Sequence, residues 1–143
     1  MALDQEQLEQ PFRKLRKALK DLPDEPSPED VHDLRTRIRR IEAIMHALRL
    51  DGTREGKRLL KSVAPIRKRA GQVRDMDVLT SFASTLDAGS DGECHVQLLE
   101  HLGTQRFRAA QKLQKSISDE QDEARKRLKD YWAYITESFR IER

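Results

Sequence analysis

The sequence predicts an all-α domain, built as a bundle of five to six helices. Apolar residues recur at spacings of three and four through most of the chain, which is typical of amphipathic helices, and there is almost no strand signal. Helix-start signals, such as Ser27 followed by Pro28 and Asp30, stand between the periodic segments. A length of 143 residues fits one core, so we place a single domain over residues 1–143.

The first two helices are predicted in the N-terminal third of the chain. The apolar spacing indicates a helix over roughly residues 4–22, in which Pro11 delays the start or introduces a kink. Three prolines in the segment LPDEPSPED then mark a turn. The capping-box pattern of Ser27 and Asp30 begins a second helix, which should run to about Leu50, where the residues DGT break it.

The remaining helices follow a less regular pattern. Thr53 can cap a third helix, whose periodicity is interrupted by a proline and by Gly71. We therefore expect a kink or break near residues 71–74 and a short helix over residues 75–86. The loop DAGSDGE separates that helix from two more, and the pattern leaves open whether residues 118–124 join or separate those two.

The formal net charge of +3 conceals an uneven distribution. Residues 28–74 carry 13 Lys and Arg against 6 Asp and Glu, so that this segment is at +7 and the remainder is at −4. A cluster of one sign raises the local concentration of a ligand of opposite sign. An ordinary solvated surface has the same composition, so charge alone leaves both interpretations open.

The second helix carries a cationic stripe beside its apolar face. Within about 60° of one another, to one side of the apolar arc, lie His32, Arg35, Arg39 and His46. Like charges at this spacing destabilise a helix by roughly a few tenths of a kcal/mol each unless something neutralises them. Only Glu42 lies near enough to help, so an external anion is a reasonable ligand for the stripe.

The third helix adds a second basic set. Opposite its apolar arc lie Arg54, Lys57, Arg58, Lys61 and Lys68. The segment PIRKRAGQVRD places more arginines around the expected break, where side chains and free backbone donors could meet. Such a concavity suits phosphate oxygens, which accept hydrogen bonds from guanidinium and ammonium groups. A simpler interpretation is that Asp75 begins the following short helix and pairs with Arg74.

Two motifs, in this order and spacing, resemble the signature of the CHAD domain family. They are VHDLRTRIRR at residues 31–40 and KRAGQVRDMDVL at residues 68–79; with the segments PFRKLRKALKDL and QLLEHLGTQRFRAAQKL, the resemblance covers most of the chain. It implies an all-helical domain that binds inorganic polyphosphate through a basic surface or channel and is not itself an enzyme. The ligand contacts that it implies are His32, Arg35, Arg39, Arg40, Lys61, Arg67, Lys68 and Arg74, with Arg69 as a further candidate.

The resemblance also bears on oligomeric state. A typical CHAD domain has two related helical halves that enclose the basic channel, and this chain corresponds to about one half. We therefore expect a homodimer in which the two basic faces turn toward a shared groove.

The expected location is the cytoplasm. The N-terminus lacks the pattern of a secretory signal, the single Cys94 cannot form an internal disulfide, and no apolar run reaches the roughly 18 to 20 residues of a membrane span. Polyphosphate granules are a candidate site of association.

Three residue pairs that suggest catalysis or metal binding have simpler explanations. His32-Asp33 would suit a metal-dependent phosphohydrolase only with further histidines in the same pocket. Asp75 and Asp77 diverge on a helix, so we interpret them as first-turn carboxylates favoured by the helix dipole. Cys94-His95 has no identifiable third partner. We therefore expect no catalysis, no metal and no other cofactor.

Nucleic-acid binding is the main alternative function, because capture of phosphate by Lys and Arg is common to both. Aromatic residues make up 5% of the chain and lie mostly at apolar helical positions, which leaves few of them to stack on bases. A helical module that binds an acidic protein partner is a third possibility, and the sequence leaves it open.

Overall fold

The computed structural model describes residues 5–49, 52–86 and 92–141, and in these ranges it contains helices and no strand. The helices are α1 (Gln5–Asp21), α2 (Pro28–Ala47), α3 (Arg54–Thr85) and α4 (Gly92–Ile141). Each helix packs on the next along the chain, and α4 also packs on α1, so the four helices close into an up-and-down bundle. The all-α prediction is confirmed, but the prediction of five to six helices is wrong.

The four helices differ greatly in length. At 1.5 Å per residue, α1 and α2 are about 26 and 30 Å long, whereas α3 is about 48 Å and α4 about 75 Å long. Arg106 of α4 donates hydrogen bonds to the Asp77 carboxylate of α3 and to the carbonyl of Pro26, in the connection between α1 and α2. The end of the α3–α4 hairpin therefore extends past this connection, and its two helices there pack mainly on each other.

The core consists of buried aliphatic residues from all four helices, with an aromatic contact between α1 and α4. The ring of Phe12 is fully buried, and its centroid lies 5.9 Å from that of Tyr131 and 5.5 Å from that of Trp132. Burying a side chain of this size contributes roughly 1.5–3 kcal/mol. This contact holds α1 against the C-terminal half of α4, on the side of the bundle away from α3.

Both predicted N-caps are present. The Ser27 hydroxyl accepts a hydrogen bond from the Asp30 backbone, and the Asp30 carboxylate accepts one from the Ser27 backbone, which completes the capping box of α2. The Thr53 hydroxyl accepts a hydrogen bond from the Gly56 backbone and caps α3. These caps fix where the two helices that carry the basic residues begin. Helix α2 ends at Ala47, slightly before the predicted end at Leu50, which lies outside the described residues.

The break predicted near residues 71–74 does not occur, and the separate short helix predicted over residues 75–86 is the C-terminal part of α3. Ala70 and Val73, on either side of Gly71, are fully buried, and continuing the helix keeps both of them in the core. A glycine in a helix interior costs about 1 kcal/mol relative to alanine, which is less than the burial of these residues contributes. Tertiary packing therefore outweighs the local preference.

The polar residues 118–124 likewise lie within one continuous helix and do not separate two helices. Ile117, Ala124 and Leu128 are all buried and carry the core face of α4 through this segment. The predicted loop at 87–93 lies partly outside the described residues, since 87–91 are not described and α4 begins at Gly92. None of the described helices combines the length and apolarity that a membrane span needs.

A glycine-to-alanine change tests the continuity of α3. A Cβ added at Gly71 would have Arg35 Nε at 4.0 Å as its nearest neighbour, which is an ordinary contact. Because the site is a helix interior, we expect Gly71→Ala to raise the free energy of unfolding by about 0.5–1 kcal/mol in urea denaturation. Gly103→Ala on α4, where a Cβ would meet nothing within 4 Å, calibrates the gain. A loss of stability at Gly71 alone would contradict a continuous helix.

Candidate anion-binding groove

A shallow groove of about 740 Å³ runs along the outer side of α3 between α2 and α4. Its lining comes from three helices, with α3 as the floor. From α2 come Arg35 and Arg39, from α3 come Ala64, Pro65, Arg67, Lys68, Arg69, Gly71, Gln72 and Asp75, and from α4 comes Ser116. The groove therefore joins the cationic stripe of α2 to the basic set of α3.

The groove exists because small residues alternate with long ones on the exposed face of α3. Ala64 and Gly71 leave little or no side chain on the floor, whereas Lys68 lies between them and extends outward. Arg35 reaches across from α2 to the position of Gly71. Short floor residues flanked by long cationic walls give a trough whose polar groups are mostly donors.

Two arginines of α2 form one wall. Arg35 and Arg39 are four residues apart, so they lie on the same face of the helix one turn from each other. That face meets α3, since the neighbouring Glu42 pairs with Arg67 across the helix interface at 3.3 Å. The buried Leu34 and Ile38 hold this face in position by filling the core behind it.

The groove carries a large excess of positive charge. Five cationic side chains line it, and Asp75 is the single carboxylate among the lining residues. Within the described ranges, Arg67 is partly neutralised by Glu42, and Arg69 donates to the Gln72 amide oxygen at 3.1 Å. The other three cations, which make no ion pair with a described residue, are Arg35, Arg39 and Lys68.

This arrangement favours a multivalent anion. Unpaired cations at helical neighbour spacing repel one another, and an anion between them would remove that repulsion and accept several hydrogen bonds at once. The guanidinium groups supply donors in a planar fork, and the lysine supplies a point charge, which together match the oxygens of phosphate groups. The lining also contains one carboxylate, Asp75, and one hydroxyl, Ser116.

Four of the site residues predicted from the sequence do not line the groove. His32 is exposed one turn before Arg35, and Lys61 is exposed two turns before Lys68, so both extend the basic surface. Arg74 is half-buried on α3 and does not line the groove, although its neighbour Asp75 does. Arg40 points away from α3 and lines a separate pocket between α1 and α2. The predicted residues that the structure brings together are Arg35, Arg39, Arg67 and Lys68, joined by Arg69.

Other lining residues were not predicted from the sequence. Ser116 comes from a helix distant in sequence, and no local pattern indicates that it faces α3. Ala64 contributes by being small, a property that charge and hydrophobicity patterns do not register. The neighbouring Gln72 contributes an amide bonded to Arg69, which orients that guanidinium.

The acidic pair on α3 does not form a metal site. Asp75 faces the groove, whereas Asp77 points to the other side and forms an ion pair with Arg106 at 3.0 Å. The interpretation of these two as first-turn carboxylates is wrong, because α3 is continuous through them. In the described part of the chain, no group of three or more potential metal ligands is present.

The imidazole beside the single cysteine has a structural partner. His95 Nε2 lies 2.7 Å from the carbonyl of Ala83, and this contact joins the two helices near the end of the hairpin. The ring is therefore engaged with the backbone of α3.

This chain matches a known protein family over nearly its whole length. The model of the CHAD domain matches residues 6–141, nearly the whole chain, and this protein therefore belongs to the CHAD domain family. That family is known for binding polyphosphate. No curated protein and no solved structure gives a significant match to the chain.

Proposed function

We propose that this protein binds inorganic polyphosphate in the groove between α2 and α4, without hydrolysing it. The observation that supports the proposal most directly is the convergence of Arg35, Arg39 and Lys68 on one trough with no counter-ion from the described residues. Membership of the CHAD family supports the same ligand class.

A polymer fits the basic surface better than a single phosphate group does. From Lys61 to Lys68, the exposed basic face of α3 extends about 10 Å along the helix axis. The stripe from His32 to Arg39 adds a parallel run of about 10 Å on α2. A chain of phosphates lying along the groove would contact these residues in turn, whereas one phosphate would reach only a few of them.

Nucleic acid is the less favoured ligand because the groove offers nothing that recognises bases. None of its lining residues is aromatic. The aromatic residues Phe12, Tyr131 and Trp132 pack on one another on the opposite side of the bundle. Stacking, which contributes about 1–3 kcal/mol per base in proteins that bind single strands, therefore has no platform within the groove lining. The exposed Phe82 lies on α3 about two turns beyond Asp75.

We further propose that the protein acts as a homodimer. The groove of one copy is open along its outer side, so a second copy can supply another basic face for the same polymer. Where polyphosphate accumulates as granules, the protein would associate with them through these faces.

A double neutralisation tests the groove. Arg35→Gln together with Arg39→Gln removes two charge-assisted contacts, each contributing on the order of 1.5–3 kcal/mol, so affinity for long-chain polyphosphate should fall on the order of 100-fold or more. Fluorescence anisotropy with labelled polyphosphate at moderate salt measures this. The fold should persist, because both side chains lie outside the core.

The matched control is Lys126→Gln together with Lys129→Gln, which removes the same charge from exposed positions on α4. These lysines lie about 15 Å or more along α4 from Ser116, so affinity should change by only about threefold or less, through the loss of long-range attraction. Equal losses from both pairs would show that net charge rather than the groove determines binding.

The absence of catalysis has its own test. Asp75 is the one carboxylate and Ser116 the one hydroxyl of the lining, and the described residues hold no group of three or more potential metal ligands. We therefore expect that incubation of the protein with polyphosphate and Mg²⁺ or Mn²⁺ releases no orthophosphate above the rate without protein. Release that depends on Arg35 and Arg39 would overturn the non-catalytic assignment.

A further inference from the structure

A second, smaller pocket lies on the other flank of α2 from the groove, where α1 packs on α2. Its volume is about 130 Å³, which is less than a fifth of the volume of the groove. Three of its lining side chains are cationic, two are amides and none is a carboxylate. They come from two helices and are Gln7, Gln10, Pro11 and Lys14 of α1 together with Arg37 and Arg40 of α2.

The arginines of this pocket and those of the groove lie on different sides of α2. At 100° per residue, Arg37 and Arg40 are about 60° apart around the helix axis. The middle of this pair is about 150° around the axis from the middle of the pair Arg35 and Arg39. A polymer that lies straight in the groove therefore cannot contact both pairs, and the small pocket is a separate site.

The packing of α1 on α2 holds one of the cations in place. Arg37 is half-buried, and its Nη1 donates a hydrogen bond to the carbonyl oxygen of Lys14 at 3.2 Å. This bond uses one of the five N–H donors of the guanidinium group, so the others can donate to a ligand. On α1, the compact ring of Pro11 lies between the longer side chains of Gln7 and Lys14 on one helix face, which leaves space beside Arg37.

The positive charge of the pocket is not neutralised by its surroundings. Neither Lys14 nor Arg40 makes an ion pair with another residue of the described ranges. Lys14 and Arg37 also border a neighbouring depression that contains three aspartates, Asp21, Asp30 and Asp33. In the described part of the chain, none of these carboxylates pairs with a cation of the pocket, and Asp30 instead accepts a hydrogen bond from the Ser27 backbone.

We propose that this pocket binds one phosphate group, held by Lys14, Arg37 and Arg40. Phosphate oxygens accept charge-assisted hydrogen bonds from guanidinium and ammonium groups, and the two glutamine amides supply further donors. A singly charged carboxylate would leave more of the positive charge uncompensated. The small volume has no room for a longer stretch of polymer.

The phosphate group has two possible sources with the same chemistry. It can be free inorganic phosphate, or it can be part of a polyphosphate chain that leaves the groove and bends around the exposed side of α2. The residues that hold it are not those of the groove, so the pocket does not depend on the function proposed above.

The test removes two of the three cations and keeps the one that joins the helices. Lys14 and Arg40 are exposed, so Lys14→Gln together with Arg40→Gln should leave the far-UV circular dichroism spectrum unchanged. Inorganic phosphate is titrated at constant ionic strength, with chloride as the balancing anion, and the arginine Nε–Hε signals are followed by ¹H–¹⁵N NMR. In the wild type, phosphate should shift the signals of Arg37 and Arg40. In the variant, the dissociation constant reported by Arg37 should rise at least about tenfold.

The matched control is Arg35→Gln together with Arg39→Gln, which removes the same charge from the same helix on its other flank. The dissociation constant that Arg37 and Arg40 report should then change by only about threefold or less, through the loss of long-range attraction. Equal weakening by the two pairs would overturn the pocket. So would the absence of any shift of Arg37 and Arg40 at phosphate concentrations on the order of 10 mM.

A second titration identifies the source of the phosphate group. Inorganic phosphate is added to wild-type protein that is already saturated with long-chain polyphosphate. If the Arg40 signal still responds, the pocket takes free phosphate, and if polyphosphate alone has already shifted it to its end point, the polymer reaches the pocket. Both results support the pocket. A protein whose Arg40 signal responds to inorganic phosphate, but which does not bind polyphosphate, would refute the groove and leave the pocket in place.

Discussion

The packing of α3 against α4 as one uninterrupted helix is the constraint on which the basic groove depends. Ala70 and Val73 are buried on either side of Gly71, and the Asp77–Arg106 ion pair holds the next turn against α4. Because the helix does not break, the glycine stays in line with the exposed face and becomes part of a groove floor.

The sequence alone was sufficient to predict the fold class and the residues at which the two basic helices begin. Capping by Ser27 and Thr53 depends on neighbours within three residues, and so it can be predicted locally. The break after Gly71 was wrongly predicted because local propensity was weighed without the core contacts of Val73, which come from other helices. The continuity of α4 could not be predicted through the polar residues before Ala124 for the same reason, since the burial of Ala124 in the core is not visible in the local sequence.

The candidate site was predictable in part. Arg35 and Arg39 could be placed on one face from their spacing alone, and that face does meet α3. Arg40 is adjacent in sequence, but it is rotated by about 100° and lies in another pocket. Ser116 could not be predicted, because its position in the groove depends on the register between α3 and α4. Helical periodicity determines which side chains share a face, whereas the packing of helices determines which faces meet.

We propose that the basic groove recognises a polymer by charge, spacing and hydrogen-bond donors, without contacts that read bases. The most direct test of this claim is a competition experiment. Labelled long-chain polyphosphate is bound to the protein, and unlabelled polyphosphate, RNA and DNA are added as competitors at matched phosphate concentration. We expect unlabelled polyphosphate to displace the label at a clearly lower phosphate concentration than either nucleic acid. The reason is that the groove offers neither aromatic stacking nor base-edge contacts to a nucleic acid. Displacement by RNA or DNA at equal or lower phosphate concentration would contradict the claim.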